Sequence, residues 1–311
     1  MDLNNKIPIL VTGIHRSGTT WVGKMLAIDP AIAYISEPLN VLHRRGVLRV
    51  PISHWYPYIC DDNQFEFLDS LEDLLAYKYN TWLEIKSLRS LKDFLRMLRD
   101  WRTFRTGKRE HQKPLLKDPF AVFSAEWFAR NFKSRVVIIV RHPAAVVSSF
   151  LRLNWDFNFS DLLGQPLLMR DWLEPYRKDM EEISGDSADI LVQGSLLWRM
   201  VYQVVAALRE RHPEFIILRH EDLSMDPING YKGLYTTLGL RYSESVREEI
   251  NKSSSGENPS ELPVKAIHSV RVDSQANIKN WQRRLSSLEI ERIYELTMDV
   301  SPEYYSEGDW E

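Results

Sequence analysis

The chain has 311 residues, 44% of them hydrophobic and 27% charged, enough apolar material for one large globular domain or one domain with an insertion. Its 40 Lys+Arg against 43 Asp+Glu leave a net charge of −3, which lacks the basic signature of a global nucleic-acid binder, so no nucleic-acid partner is expected. A single cysteine, Cys60, excludes an internal disulfide framework and suits a reducing compartment.

No apolar run approaches the ~20 residues needed to span a bilayer. The first strand begins near residue 7, so no signal peptide is expected. Residues 7–12 form a nearly uninterrupted apolar run, which reads as a strand buried on both faces. The loop GIHRSGTT follows from Gly13 to Thr20, and then a helical stretch in which Val22, Met25 and Leu26 share a face until Asp29-Pro30 stops it. Strand, glycine-bounded loop and helix make a phosphate cradle: glycines admit an anion close to the backbone, and the helix N-terminus adds partial positive charge. The spacing is that of a Walker A loop, G-x-x-x-x-G, with Thr19-Thr20 in place of the Lys-Ser/Thr pair. Without that Lys, a kinase or NTPase reading is weakened, and the cation sits inside the loop as Arg16.

Residues 31–36 read as a second strand leading into Glu37-Pro38, and residues 41–55 are irregular with a His-Arg-Arg cluster. From about 65 to 109 the pattern is helical. Leu88, Leu91, Leu95 and Leu98 line one side of it, and Arg89, Lys92, Arg96 and Arg99 another. Residues 86–109 hold nine Lys/Arg against Asp93 and Asp100, a local charge of +7. The expected arrangement is a helix packed by its leucines with a solvated basic face; the sharper alternatives are contact with an anionic acceptor or an anionic membrane surface.

Residues 114–116 make a third apolar run that would deliver Lys117 and Asp118 to a sheet end. A helix follows over 121–132, with Phe123, Trp127 and Phe128 expected in the core. Residues 135–140, RVVIIV, are the clearest strand, followed at once by Arg141 and by a helix carrying Ser148 and Ser149. In a parallel sheet, ligand groups gather at the carboxyl ends of strands, where Arg141 stands. A long helix is expected over 191–211 and another strand over 215–218. The run RHEDL that follows reads as structural, its acids pairing with basic neighbours at the sheet end. Residues 252–259 are loop-like, and Arg271 and Lys279 precede Trp281.

The loop R-S-G-T-T-W from Arg16 to Trp21, the Arg141/Ser149 pair eight residues apart, and the order of strands resemble the sulfotransferases that use 3′-phosphoadenosine-5′-phosphosulfate (PAPS). The resemblance runs through most of residues 6–300 and is faintest over 41–113. It implies an α/β fold with a central five-stranded parallel sheet flanked by helices, one domain over 1–311, and residues 41–113 as a helical insertion on the acceptor side. It implies that Arg16, Ser17, Gly18, Thr19 and Thr20 hold the 5′-phosphosulfate, that Trp21 stacks on adenine or is simply core, and that Arg141 and Ser149 hold the 3′-phosphate. Lys117 would contact the transferring group. Many cytosolic members carry a Lys-Thr-His run at the third strand; here the run is Lys117-Asp118-Pro119, without the His. Tyrosylprotein and several bacterial members instead resemble this chain in a Glu twenty-one residues after the loop cation, which is Glu37. Glu37 is therefore the expected general base, Asp118 its rival, and an ion pair with Arg44 or Arg45 the non-catalytic alternative. The family's late Arg-Lys-Gly cluster is absent, leaving Arg271 and Lys279 as the nucleotide-closing candidates.

The implied activity is sulfuryl transfer from PAPS, with no metal, to a hydroxyl or amine of a small-molecule, lipid or carbohydrate acceptor that the residues do not identify. The alternatives are a P-loop small-molecule kinase or NTPase, or a non-catalytic binder of adenosine 3′,5′-bisphosphate. Golgi members carry a membrane anchor, so the resemblance is to cytosolic or bacterial members and a cytoplasmic location is expected.

Overall fold

The computed structural model describes residues 7–183, 189–261 and 269–311. Five strands form one parallel sheet: β1 (Ile9–Gly13), β2 (Ile32–Ser36), β3 (Lys113–Lys117), β4 (Arg135–Val140) and β5 (Ile216–Arg219), in the order β2-β3-β1-β4-β5. The chain leaves β1 to one side and returns on the other at β4, so the switch point falls at the carboxyl ends of β1, β3 and β4. That is where such sheets bind ligands.

The strands are apolar on both faces because both are covered. Leu10, Ile35, Leu116, Ile138 and Val140 face one core with Trp127, Phe150 and Trp198; Ile9, Val11, Leu115, Val137 and Ile139 face another with Val22, Met25, Tyr231 and Tyr235. Helix α1 (Thr19–Leu26) covers the second face together with the helices Pro227–Leu238 and Glu244–Ser254. The first face takes α2 (Leu68–Leu75), α5 (Ala125–Phe132), α6 (Pro143–Leu153) and the long helix Ile190–Arg211. That long helix is apolar enough by length and composition to cross a membrane, which reading the sequence for runs did not show. Two-thirds of its apolar stretch is buried against the protein, as a core helix.

Residues 41–113 do not stand apart from the body: Val47, Leu48, Tyr56, Ile59, Leu71, Leu74 and Phe104 belong to the first core. The expected continuous basic helix is broken into α3 (Thr81–Ser87) and α4 (Leu91–Arg109), each started by a side chain that caps its free N–H groups, Asn80 and Ser90. The leucine stripe is not the packed face. Leu91 is 77% and Leu95 60% exposed, and α4 is held down by Met97, Phe104 and Gly107 on the opposite side. Gly107 is required there, since a Cβ would lie 2.7 Å from the Tyr77 ring.

Candidate functional site

The loop after β1 is built by backbone conformations that few residues adopt. Gly13 has φ +145, and a Cβ on it would come 2.4 Å from the Ile139 carbonyl oxygen; Gly18 has φ +101, and a Cβ there would strike the His220 ring at 2.3 Å. Arg16 takes φ +71 without being glycine. The loop is fastened from below through His15, whose ring stacks on Phe150 at 4.5 Å and faces the Tyr56 hydroxyl. Burial, helped by Arg16, pushes the His15 pKa down to about 3, so it is a neutral staple.

Above the loop four arginines converge. Arg16 Nε donates to Ser149 Oγ at 3.0 Å, and Arg141 donates to the Arg16 carbonyl at 3.0 Å. Arg152 and Arg284 line the same pocket, and Arg284 donates to Ser148. Burial, then Arg141, Arg152 and Arg284, hold the Arg16 pKa down to about 10. Glu221 and Glu261 oppose the arginines: Glu261 pairs with Arg152 at 2.6 Å and Arg284 at 2.9 Å, and Glu221 lies near Arg141, accepting from His142 N–H and Tyr305. The buried Arg141 Nε has no hydrogen-bond partner among the described residues. A doubly anionic phosphate fits such a place, because it supplies the missing acceptors and relieves the crowding of like charge.

Gly18, Thr19, Thr20 and Trp21 also line this pocket, and the first N–H groups of α1 have no carbonyl within the helix to bond. Ser17 does not reach the wall: it is fully buried and its N–H is spent on the Ile14 carbonyl. Trp21 is nearly buried, donates Nε1 to Ser253 Oγ and meets Tyr231 edge-on; its remaining surface belongs to the pocket. Arg271 and Lys279 are not brought in. Arg271 pairs with Glu249 on the surface and Lys279 bonds the Glu311 carbonyl.

Thr20 lies at the junction with a second, larger cleft of about 1010 Å³. Glu37 and Lys117 are on its wall. They stand on neighbouring strand ends, and the Lys117 ammonium is hydrogen-bonded to Glu37 Oε1 while Asn40 donates to Oε2 at 2.8 Å. Glu37 is held at φ +51, a non-glycine residue in the left-handed region, which is a conformation that clusters at functional sites. Arg44 is not its partner, being bound to the buried Glu84 and the Asp93 carbonyl. Asp118 is elsewhere: fully enclosed, it accepts from Leu39 N–H at 2.6 Å and Phe120 N–H at 3.0 Å, and burial followed by Glu37 raises its pKa to about 7. It shapes the turn behind Glu37 and is not on the cleft wall.

The family pattern described as "Sulfotransferase family" matches residues 8–244, from β1 through the Pro227–Leu238 helix. The chain belongs to the sulfotransferase family. Among curated relatives it is 26% identical over 190 residues to Carbohydrate sulfotransferase 1 of Danio rerio, a match covering 60% of this chain and 38% of that protein's length. Solved structures similar to this sulfotransferase include the sulfotransferase domain from the curacin biosynthetic pathway (15% identity, 93% of this chain and 96% of that one, TM-score 0.49). Mouse sulfotransferase SULT7A1 complexed with PAP is another (11% identity, 99% and 88% coverage, TM-score 0.43).

Three residues lining the arginine pocket lay outside the sequence expectations. Arg152 stands three residues after Ser149 on α6 and so faces the same way, a signal that was available. His220 supports Gly18 from the strand-end run RHEDL, and Arg284 arrives from the other end of the chain with no local motif.

Proposed function

We propose that the chain moves a sulfuryl group from PAPS to a hydroxyl or amine of an acceptor held in the larger cleft, with Glu37 as general base. The observation that carries this reading is the junction at Thr20 between a pocket of four arginines and a cleft whose wall holds the Glu37–Lys117 pair. Arg141, Ser149, Arg152 and Arg284 would hold the 3′-phosphate, and Arg16 with the Gly18, Thr19 and Thr20 backbone the 5′-phosphate. PAPS supplies the sulfuryl group and a phosphate leaving group. Glu37 takes the proton as the acceptor oxygen attacks sulfur; the S–O bond to phosphate breaks and its electron pair stays on the phosphate oxygen. Arg16, a fork of fixed donors that does not readily give up a proton, stabilises the charge growing there. Lys117, in reach of Glu37, neutralises charge on the transferring group. Catalysis then rests on positioning and fixed charge, as in phosphoryl transfer.

The acceptor cleft favours an anionic substrate. Lys24, Arg44, Arg96, Arg99, Arg102 and Lys117 line it against Glu37 and Asp100. Lys24 is held below its ordinary pKa chiefly by burial, with the nearby Lys117 and Arg99 adding to the effect. Likeness to a protein named as a carbohydrate sulfotransferase supports a carbohydrate or another small polyhydroxyl acceptor. The single free cysteine supports a cytoplasmic location. Turnover of PAPS against a panel of acidic and neutral sugars, read as release of adenosine 3′,5′-bisphosphate, tests the reading. No release with any acceptor, together with tight bisphosphate binding, would reassign the protein to the non-catalytic binders.

A further inference from the structure

The helices α3 and α4 carry a second apolar face that, among the described residues, is largely open to solvent. On α4 the exposed Leu91, Phe94 and Leu95 share one side with the half-buried Leu98, and Trp101 stands at the border between this side and the one that Met97, Phe104 and Gly107 pack into the body. Trp82 on α3 is 66% exposed, and Ile85 beside it is also open. A solvent-facing helix that needed only one packed face would carry polar residues here.

Charge tells what fits this face. Lys86 sits over the Trp82 ring at 4.8 Å and Arg105 over the Trp101 ring at 5.1 Å. Residues 86–109 hold nine cations, and their two acids are engaged, Asp93 by Ser90, Arg44 and Arg96 and Asp100 by Arg99. A second copy of this chain would bring +7 against +7, so self-association through the patch is opposed by its own field. The surface is the convex edge of a helix and not a groove. Exposed Trp and Leu interleaved with Lys and Arg suit a planar anionic bilayer: the rings and leucines enter the headgroup boundary, and the long cationic side chains stay at its phosphates.

The edge is also held firmly. Glu84 on α3 is fully buried, binds Arg44 and accepts from Gly46 N–H at 2.8 Å, and Arg44 continues to the Asp93 carbonyl in the first turn of α4. We propose that the α3–α4 edge is a docking surface for anionic membranes. Arg96 and Arg99 lie on the neighbouring side of α4 and, with Arg102, line the acceptor cleft, so a docked molecule presents that cleft next to the lipid surface. The inference goes beyond the proposed activity and does not depend on it.

Sedimentation of the full chain with vesicles tests it, comparing phosphatidylcholine alone with phosphatidylcholine containing about one third phosphatidylglycerol. Binding to the anionic vesicles is expected, at least ~10-fold weaker on phosphatidylcholine alone and weakened by high salt. Two variants separate the parts of the face: Leu91→Ser with Leu95→Ser and Trp82→Ser, and Lys86→Glu with Lys92→Glu and Arg105→Glu. Each should lose binding by ~10-fold or more while keeping the melting temperature and the affinity for adenosine 3′,5′-bisphosphate. No binding of the wild type to anionic vesicles overturns the proposal, as does undiminished binding of both folded variants. A wild-type dimer by analytical ultracentrifugation that the Leu91→Ser, Leu95→Ser, Trp82→Ser variant dissolves would assign the face to self-association instead.

Discussion

The Lys117 ammonium rests on the Glu37 carboxylate because β2 and β3 run side by side in register. Ser36 pairs with Lys117 across the ladder, the Glu37 N–H donates to the Lys117 carbonyl at 2.8 Å, and the chain then turns at φ +51 to aim the carboxylate into the cleft. An ion pair on a surface is worth little. This one has its Lys almost fully enclosed and its Glu partly open to the cleft, with Oε1 bonded by Lys117 and Oε2 by Asn40.

That geometry sets the expectation for Glu37→Gln. The amide keeps the shape and one of the two acceptors that Lys117 and Asn40 bond but accepts no proton, so turnover should fall ~10²–10⁴-fold, the usual range for lost acid–base help. Affinity for adenosine 3′,5′-bisphosphate, measured by calorimetry, should hardly change. Asp118→Asn belongs beside it, since an amide can replace only one of the two acceptors that bond Leu39 and Phe120. It should cost stability by about 1–3 kcal/mol while turnover per folded molecule survives. The reverse pattern would move the base to the end of β3.

A second expectation concerns which phosphate the arginines read. Arg141→Ala and Arg284→Ala should weaken adenosine 3′,5′-bisphosphate at least ~10-fold, the order of one charge-assisted hydrogen bond. Adenosine 5′-phosphate, which lacks the 3′ group, should be affected far less. Arg271→Ala and Lys279→Ala should leave both ligands alone, because their side chains are bound on the surface away from the pocket. Equal losses for the two nucleotides would show that the cluster does not discriminate.

How much of this was legible depended on whether a signal was local. The strands β1 and β4 are runs of apolar residues buried on both faces, and the loop between Gly13 and Thr20 follows its strand directly, so sequence order was enough. Arg141 directly follows β4 and Ser149 lies on α6 eight residues later, so that pair was also readable. Arg284 joins them from more than a hundred residues away, and only the packing of the C-terminal helices against α6 brings it there. The leucines of α4 misled because periodicity shows that a helix has an apolar stripe, not which of two stripes the body covers. Met97, Phe104 and Gly107 won because Tyr77 and Tyr79 lie under that side.

Gly18→Ala probes the phosphate loop itself. The new Cβ would meet His220 at 2.3 Å and would have to adopt φ +101, strain of about 1–3 kcal/mol that the loop can relieve only by moving. Bisphosphate affinity should therefore fall ~10-fold or more while the fold survives. Gly239→Ala is the control: it also has positive φ, +65, but open space around it and no place in the pocket. It should lower the melting temperature slightly and leave nucleotide affinity unchanged, as read by thermal shift with and without ligand.

Two buried groups should give the folded protein opposite responses to pH. Asp118 has its pKa raised from 3.8 to about 7, so the folded state holds that proton more tightly than the unfolded chain. Its contribution is fully present below 3.8 and is lost as pH rises through about 7. His15 has its pKa lowered from 6.5 to about 3, so the unfolded chain binds the proton more readily. Its contribution is present above 6.5 and is lost as pH falls toward 3. Urea denaturation at several values between about pH 4 and 7 resolves the two, with wild type compared with Asp118→Asn and with His15→Gln. The advantage of wild type over Asp118→Asn should shrink as pH rises across that window, and its advantage over His15→Gln should grow. A difference from either variant that stays constant with pH would mean that the group does not titrate differently in the folded and unfolded states. For His15 it would remove the argument that the loop after β1 is held by a neutral ring.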